Sequence, residues 1–104
     1  MIYYVDIDGT ICTSTVNQGY QFAEPFVQRI AHFNKLYDEG HQIHYWTARG
    51  QSSNRDFSEL TKKQLAEWRV KYTSLNFKKP SYDIWIDDKA QNVERYFDDI
   101  SNGS

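Results

Sequence analysis

The chain has 104 residues, of which 39% are hydrophobic, and a formal net charge of −2. That length allows one domain around one core and leaves no room for a second domain or a folded lid, while the near-neutral balance excludes compositional disorder and a polybasic surface for nucleic acid. The single cysteine, Cys12, excludes an intramolecular disulfide framework and a Cys-rich zinc site.

In chain order, the apolar run Ile2-Tyr3-Tyr4-Val5 reads as a first strand that passes directly into Asp6-Ile7-Asp8-Gly9-Thr10. Side chains two apart in a strand share a face, so Asp6 and Asp8 can point the same way while the strand continues. Gly9 permits a tight turn behind them because it tolerates φ > 0. The polar stretch 13–21 reads as a loop with a small hairpin turn at Gln18-Gly19-Tyr20. A first helix opens near Glu24-Pro25, since Pro suits the first helical position. Val27, Ile30, Phe33, Leu36 and Tyr37 give it one apolar face, and Gly40 stops it. Residues 42–46 predict a second strand running into Thr47-Ala48-Arg49-Gly50. A second helix begins between residues 54 and 57 and runs to 71, burying Phe57, Leu60, Leu65 and Trp68. A weak third strand is expected at 72–75, and Ile84-Trp85-Ile86 predicts the last strand, ending in Asp87-Asp88. The last helix spans 90–100 with Val93, Tyr96, Phe97 and Ile100 inward, and residues 101–104 form a fraying tail behind the single domain 1–100. Strands alternating with helices imply an α/β fold with a mainly parallel sheet covered on both faces.

In such sheets ligands bind beyond the carboxyl ends of the strands. Asp6 with Asp8, Thr47, and Asp87 with Asp88 all fall at predicted strand ends, which the fold gathers at one edge. Carboxylates packed there repel unless a cation compensates, and an all-oxygen set that leaves room for water suits Mg²⁺. Such a cation orients a phosphate for in-line attack. Asp6 then serves as nucleophile and forms an aspartyl-phosphate. Asp8 protonates the leaving oxygen and later deprotonates the attacking water. Thr47 donates its hydroxyl to a phosphoryl oxygen, and a lysine offsets the transition-state charge. Lys79, next to Pro80, is preferred for that role, with Lys78 competing. Arg49 holds the leaving group or a second anion, or equally closes a loop salt bridge. His32, His41 and His44 lack metal-ligand spacing, and Cys12 reads as a packing residue.

The ordered set Asp6-Ile7-Asp8-Gly9-Thr10, Thr47, Lys79 and Asp87-Asp88 resembles the haloacid dehalogenase superfamily of phosphohydrolases and spans nearly the whole chain. The segments Asp8-Gly9-Thr10-Ile11-Cys12-Thr13, Trp46-Thr47-Ala48-Arg49-Gly50 and Tyr82-Asp83-Ile84-Trp85-Ile86-Asp87-Asp88-Lys89-Ala90 are similar to a small capless branch, often labelled capsule or lipopolysaccharide biosynthesis phosphatases. The resemblance implies a three-layer Rossmannoid sandwich without a cap domain, Mg²⁺ as cofactor, and catalysis by Asp6, Asp8, Thr47 and Lys79. It implies substrate contacts at Gly9, Thr10, Ala48 and Arg49. It also implies side-chain metal ligation by Asp6 and Asp87, ligation by Asp8 through its backbone carbonyl, and assistance from Asp88. Where relatives are expected to carry Gly-Lys-Pro, this chain has Lys78-Lys79-Pro80.

The expected function is thus a Mg²⁺-dependent phosphomonoesterase acting on a sugar- or polyol-phosphate of surface polysaccharide synthesis. Nucleotide monophosphates and polynucleotide 3′-phosphates are alternative substrates. A phospho-accepting receiver or a non-catalytic binding module are alternatives of another class, although a receiver needs its acceptor Asp behind a middle strand. An open site takes a large substrate, borrows a neighbouring subunit of a homo-oligomer as a roof, or relies on the loop 13–22. With no basic-then-apolar leader and no apolar run near about 18 residues in the sequence, a cytoplasmic protein without a membrane partner is expected.

Overall fold

The computed structural model describes residues 1–15, 19–50, 55–80 and 82–101. Strands β1 (Ile2–Asp6), β2 (Gln42–Trp46) and β3 (Ser74–Asn76) form one parallel sheet in the order β1-β2-β3. Asp6 pairs with Trp46, and Trp46 with Asn76, so the three carboxyl ends share one edge. Helix α1 (Val27–Asp38) lies between β1 and β2 in the chain, α2 (Ser58–Glu67) between β2 and β3, and α3 (Val93–Ser101) follows. The chain is an α/β protein, as the alternating patterns predict. Among the described residues no helix is long and apolar enough to cross a membrane.

Alternation along the strands assigns one sheet face to the core. Val5, Ile43 and Tyr45 are buried there in one cluster with Ile30 and Phe33 of α1 and Leu65 of α2, and Tyr96 and Phe97 of α3 pack against it. Phe33 stacks on Tyr96 at 6.1 Å and meets Tyr45 edge-on at 6.4 Å, so rings fill much of the space between helices and sheet. The opposite face departs from expectation. All three helices join the first face, and Ile2 and Tyr4 on the second remain exposed.

The larger correction concerns residues 84–86, which form no strand; Ile84, Trp85 and Ile86 are exposed. A parallel crossover needs about a dozen residues or more, and the link from Asn76 to Ile84 is shorter and, among its described residues, carries no helix. Helix α1 starts at Val27, two residues beyond Pro25, and Val27 and Tyr37 are exposed, which narrows its seam to Ile30, Phe33 and Leu36. Helix α2 ends at Glu67 because Arg69 takes φ 58°, letting Val70 N–H donate back to Leu65 O at 2.9 Å. The Asn34 side chain pins that turn to α1, donating to Arg69 O at 2.9 Å and accepting from Lys71 N at 2.8 Å. Strand β3 is displaced to Ser74–Asn76. Helix α3 opens at Val93 because Asn92 Oδ1 accepts from Glu94 N at 2.9 Å, and Ile100 is exposed. Gly19, at φ 98°, leads into a 3-10 turn at Tyr20–Phe22 in place of the hairpin turn, whose Gln18 lies outside the described residues, as do residue 54 and the tail 102–104.

His32 on α1 shares a hydrogen bond of 2.8 Å between Nε2 and Tyr96 Oη. Burial, aided by Lys35 and opposed by Glu39, holds its pKa below the ordinary 6.5. The folded protein therefore binds fewer protons than the unfolded chain as pH falls through 6.5. The stabilisation by the neutral ring is complete above that value and is lost toward the lower folded value. Urea denaturation at about pH 7.5 and about pH 5.5 should show lower stability in acid, and His32→Gln, which cannot charge, should reduce the difference.

Candidate active site

Strand β1 delivers Asp6 to the carboxyl edge, and a tight coil behind it presents Asp8. Gly9 turns the chain at φ 84° and donates its N–H to Cys12 O at 2.9 Å, while the N–H groups of Thr10 and Ile11 both donate to Ile7 O, at 3.1 and 3.0 Å. Ile7, Ile11 and Cys12 are fully buried and anchor this coil in the core. Strand β2 delivers Thr47, whose N–H donates to Asn76 O at 2.9 Å and whose carbonyl accepts from Lys79 N at 3.3 Å. The segment after β3 is thus held alongside the segment after β2. These segments surround a cavity of about 810 Å³ lined by Asp6, Asp8, Thr47, Ala48, Arg49 and Lys79, with Tyr20 and Tyr82 in its walls.

Two ion pairs set the electrostatics. Lys79 Nζ lies 3.2 Å from Asp6 Oδ1. Burial raises the Asp6 pKa, and the Lys79 ammonium works against that rise. Lys79 is largely buried and Lys78 is exposed, so of the two it is Lys79 that enters the cavity. The second pair is tighter. Arg49, whose side chain is 0% exposed, grips Asp8 with both prongs, Nε to Oδ2 at 3.0 Å and Nη2 to Oδ1 at 2.9 Å. Its Nη1 donates to Thr61 Oγ1 at 3.0 Å and Gln64 Oε1 at 2.6 Å, and the guanidinium lies 4.7 Å from the Tyr20 ring centre. Arg49 N–H donates to Thr47 Oγ1 at 3.1 Å. The Cys12 thiol approaches Asp8 Oδ1 at 3.6 Å, and its burial beside that carboxylate pushes its pKa up to about 12, so it is a proton-bearing neighbour and no nucleophile.

Of the residues singled out in the sequence, Asp6, Asp8, Thr47, Ala48, Arg49 and Lys79 share the cavity. Gly9 and Thr10 do not line it, and their N–H groups are spent inside the coil, so neither amide is presented to a substrate. Arg49 resolves as the salt-bridge alternative, since its guanidinium is occupied by protein partners. Asp87 and Asp88 are exposed and lie outside the cavity, with Asp87 Oδ1 accepting from Lys89 N at 2.7 Å, a bond that keeps its carboxyl below the ordinary range. Among the described residues no three His, Cys, Asp or Glu side chains gather as a metal site would require. Asp6 and Asp8, each already facing a cation, do not by themselves fit Mg²⁺, which takes oxygen ligands in an octahedral shell. Tyr20, Thr61, Gln64 and Tyr82 join the site without having been foreseen. The signal for Thr61 and Gln64 is their spacing of three on the face of α2 that also buries Leu65, where a polar pair needs a partner.

Removing the guanidinium leaves Asp8, Thr61 and Gln64 without their shared partner. Arg49→Met should lower the unfolding free energy in urea by about 3–5 kcal/mol, and Arg49→Lys should fall between it and the parent because an ammonium cannot reproduce the fork. No protein-family model matches the sequence, and no curated protein matches it either. The fold does resemble a crystal structure of a target protein from Vibrio cholerae, with a TM-score of 0.81 at 21% identity over 97% of this chain and 94% of that one. At that identity the likeness shows a shared α/β fold and nothing about activity.

Proposed function

We propose that this chain is a phosphomonoesterase that works through an aspartyl-phosphate on Asp6, in a capless Rossmannoid fold of the haloacid dehalogenase kind. The observation that carries the reading is the convergence of Asp6, Asp8, Thr47 and Lys79, from three separate segments, on one cavity with Lys79 Nζ 3.2 Å from the Asp6 carboxylate. In the first step an Asp6 oxygen attacks phosphorus and the bond to the leaving oxygen breaks, with Asp8 supplying the proton that oxygen takes up. In the second, Asp8 removes a proton from water, the water oxygen attacks phosphorus, and the bond to Asp6 breaks to release phosphate. Lys79 and the Thr47 hydroxyl donate to the non-bridging oxygens. Arg49 uses two of the roughly four lone-pair directions of Asp8, and so fixes which remain for the proton transfer.

Mg²⁺ belongs to this proposal through the sequence resemblance, which would recruit Asp87 and Asp88; as these residues stand, no step is routed through it. The cavity of about 810 Å³ is larger than a phosphate needs and is walled by Ser14, Gln21, Tyr20 and Tyr82. Hydroxyl, amide and ring faces together suit a hydroxylated leaving group, which supports a cytoplasmic sugar- or polyol-phosphate as substrate, in surface polysaccharide synthesis by the same resemblance, with nucleotides second.

Phosphate release across a panel of sugar phosphates, nucleotides and 3′-phosphorylated oligonucleotides tests the reading. Asp6→Asn should reduce turnover of any accepted substrate by about 10³-fold or more, and full activity in that variant rules out the nucleophile. Chelation with EDTA should abolish turnover and added Mg²⁺ should restore it; turnover that survives EDTA removes the metal from the proposal.

A further inference from the structure

The proposed chemistry leaves one charged group of the cavity without a task. Among the described residues the lining holds two carboxylates and three cations. Asp6 faces Lys79, and Asp8 faces Arg49. Arg55 is the cation left over, and among the described residues its side chain makes no hydrogen bond, ion pair or ring contact. An exposed arginine needs no partner for stability, so the lone charge by itself says little. Its place says more. Gly50, at φ 88°, directly follows Arg49, and a Cβ there would collide with Arg55 O. The missing side chain thus lets the Arg55 backbone lie against the segment that carries Arg49. Phe57 meets Tyr20 edge-on at 4.9 Å, and Gly19, next to Tyr20, donates its N–H to Thr15 O at 3.1 Å. Arg55, Phe57, Tyr20 and Thr15 therefore form one continuous stretch of cavity wall.

Thr15 supplies an independent sign. The residue is 7% exposed, and its Oγ1 has no hydrogen-bond partner among the described residues. A buried hydroxyl without a partner is costly, and native structures leave few. Tyr45 Oη is in the same condition but belongs to the core, whereas Thr15 stands on the cavity wall, where a ligand can offer the missing partner.

We propose that this wall is a second-anion subsite: the substrate is a sugar- or polyol-phosphate with a further carboxylate or phosphate, which Arg55 holds while the Thr15 hydroxyl bonds the same ligand. The inference rests on the phosphatase reading in placing the scissile phosphate beside Asp6 and Lys79. Lys79 and Thr47 already serve the phosphoryl oxygens there, so Arg55 is available to a group elsewhere on the molecule. A guanidinium accepts carboxylate or phosphate alike, aiming two parallel N–H donors at two oxygens. The volume of about 810 Å³ is that of a pocket for a whole small molecule.

Three linear six-carbon ligands that differ only at the end remote from the shared phosphate test this: glucitol 6-phosphate with a hydroxymethyl group, 6-phosphogluconate with a carboxylate, and glucitol 1,6-bisphosphate with a second phosphate. Calorimetric titration into Asp6→Asn with Mg²⁺, or into the parent chain with EDTA if that variant fails to fold, reads affinity without turnover. The two doubly anionic ligands should bind about tenfold more tightly than the hydroxymethyl one, or more. A gain for one of them alone names the anion the subsite takes. Arg55→Gln should bring the ratio to about one, Arg55→Lys should keep part of it, and Lys78→Gln, at an exposed lysine outside the cavity lining, should leave it intact. Thr15→Val should weaken all three ligands, and unchanged affinity there overturns the Thr15 contact. No binding, equal affinity across the set, or a ratio that Arg55→Gln leaves unchanged overturns the subsite. Phosphate release by the parent is scored separately on the panel above: no turnover there removes the phosphatase reading, while the affinity ratio still decides the subsite.

Discussion

The Arg49–Asp8 pair is the contact on which this structure turns. A guanidinium with no exposed surface is costly to desolvate, and the cost is met only when its donors are aimed at fixed acceptors. Asp8 takes two of them from the coil behind β1, Thr61 and Gln64 share the third nitrogen from α2, and the Tyr20 ring closes one side. Gln64 turns its amide nitrogen to Tyr20 O at 2.7 Å, so the cradle is itself tied down. The segments after β1 and β2 and the helix α2 are brought to one point by charge. Ile7 and Ile11 anchor the coil by burial, and the Arg49 fork adds a fixed direction for Asp8 to that anchor.

The second ion pair has a different character. Lys79 reaches Asp6 with a single contact from a largely buried stem, its ammonium 5.4 Å from the Tyr82 ring centre, and an ammonium is a compact charge without Arg's planar fork. Such a group can leave one oxygen for another nearby at little cost. Arg49 cannot, since its fork is matched to Asp8 and its remaining donors to α2. The cavity therefore combines one carboxylate gripped by both prongs of a planar cation with another that meets an ammonium at one oxygen. That asymmetry agrees with a division between a proton-transfer group and a reacting group.

What could be read from the sequence was local. The first strand, read at Ile2 to Val5 and found to run on to Asp6, the carboxylate spacing and the glycine turn are properties of a short segment, and so is the Ile30, Phe33 and Leu36 seam of α1. The early end of α2 was not local: Arg69 adopts a left-handed conformation that a non-glycine residue takes at some cost, and Asn34 from another helix holds it there. Residues 84–86 have the apolar pattern of a strand, but pattern says nothing of whether the preceding link can carry a crossover. That no helix among the described residues covers the second sheet face was equally hidden, because helix patterns do not state the side of the sheet on which a helix lands. In the site, Asp6, Asp8 and Thr47 were legible from their places at strand ends and Lys79 from its place beside Pro80, whereas Asp87 and Asp88, read in the same way, stay outside the cavity because 84–86 forms no strand. The partner of Arg49 was not, since both readings of that side chain are chemically sound until the fold supplies the distances.

Arg29 ties the coil behind β1 to helix α3. Its Nη1 donates to Thr10 O at 3.3 Å, its Nη2 holds both oxygens of Glu94 at 3.1 Å, and its guanidinium lies 4.9 Å from the ring centres of both Phe26 and Phe97. The coil that presents Asp8 thus shares a clasp with α3, which is synthesised well after it. A nascent chain still short of Glu94 and Phe97 has Arg29 without its anion and without one of its two rings. The coil is made before α3, so a ribosome-bound chain carries the carboxylates before it carries the clasp that ties their coil to that helix.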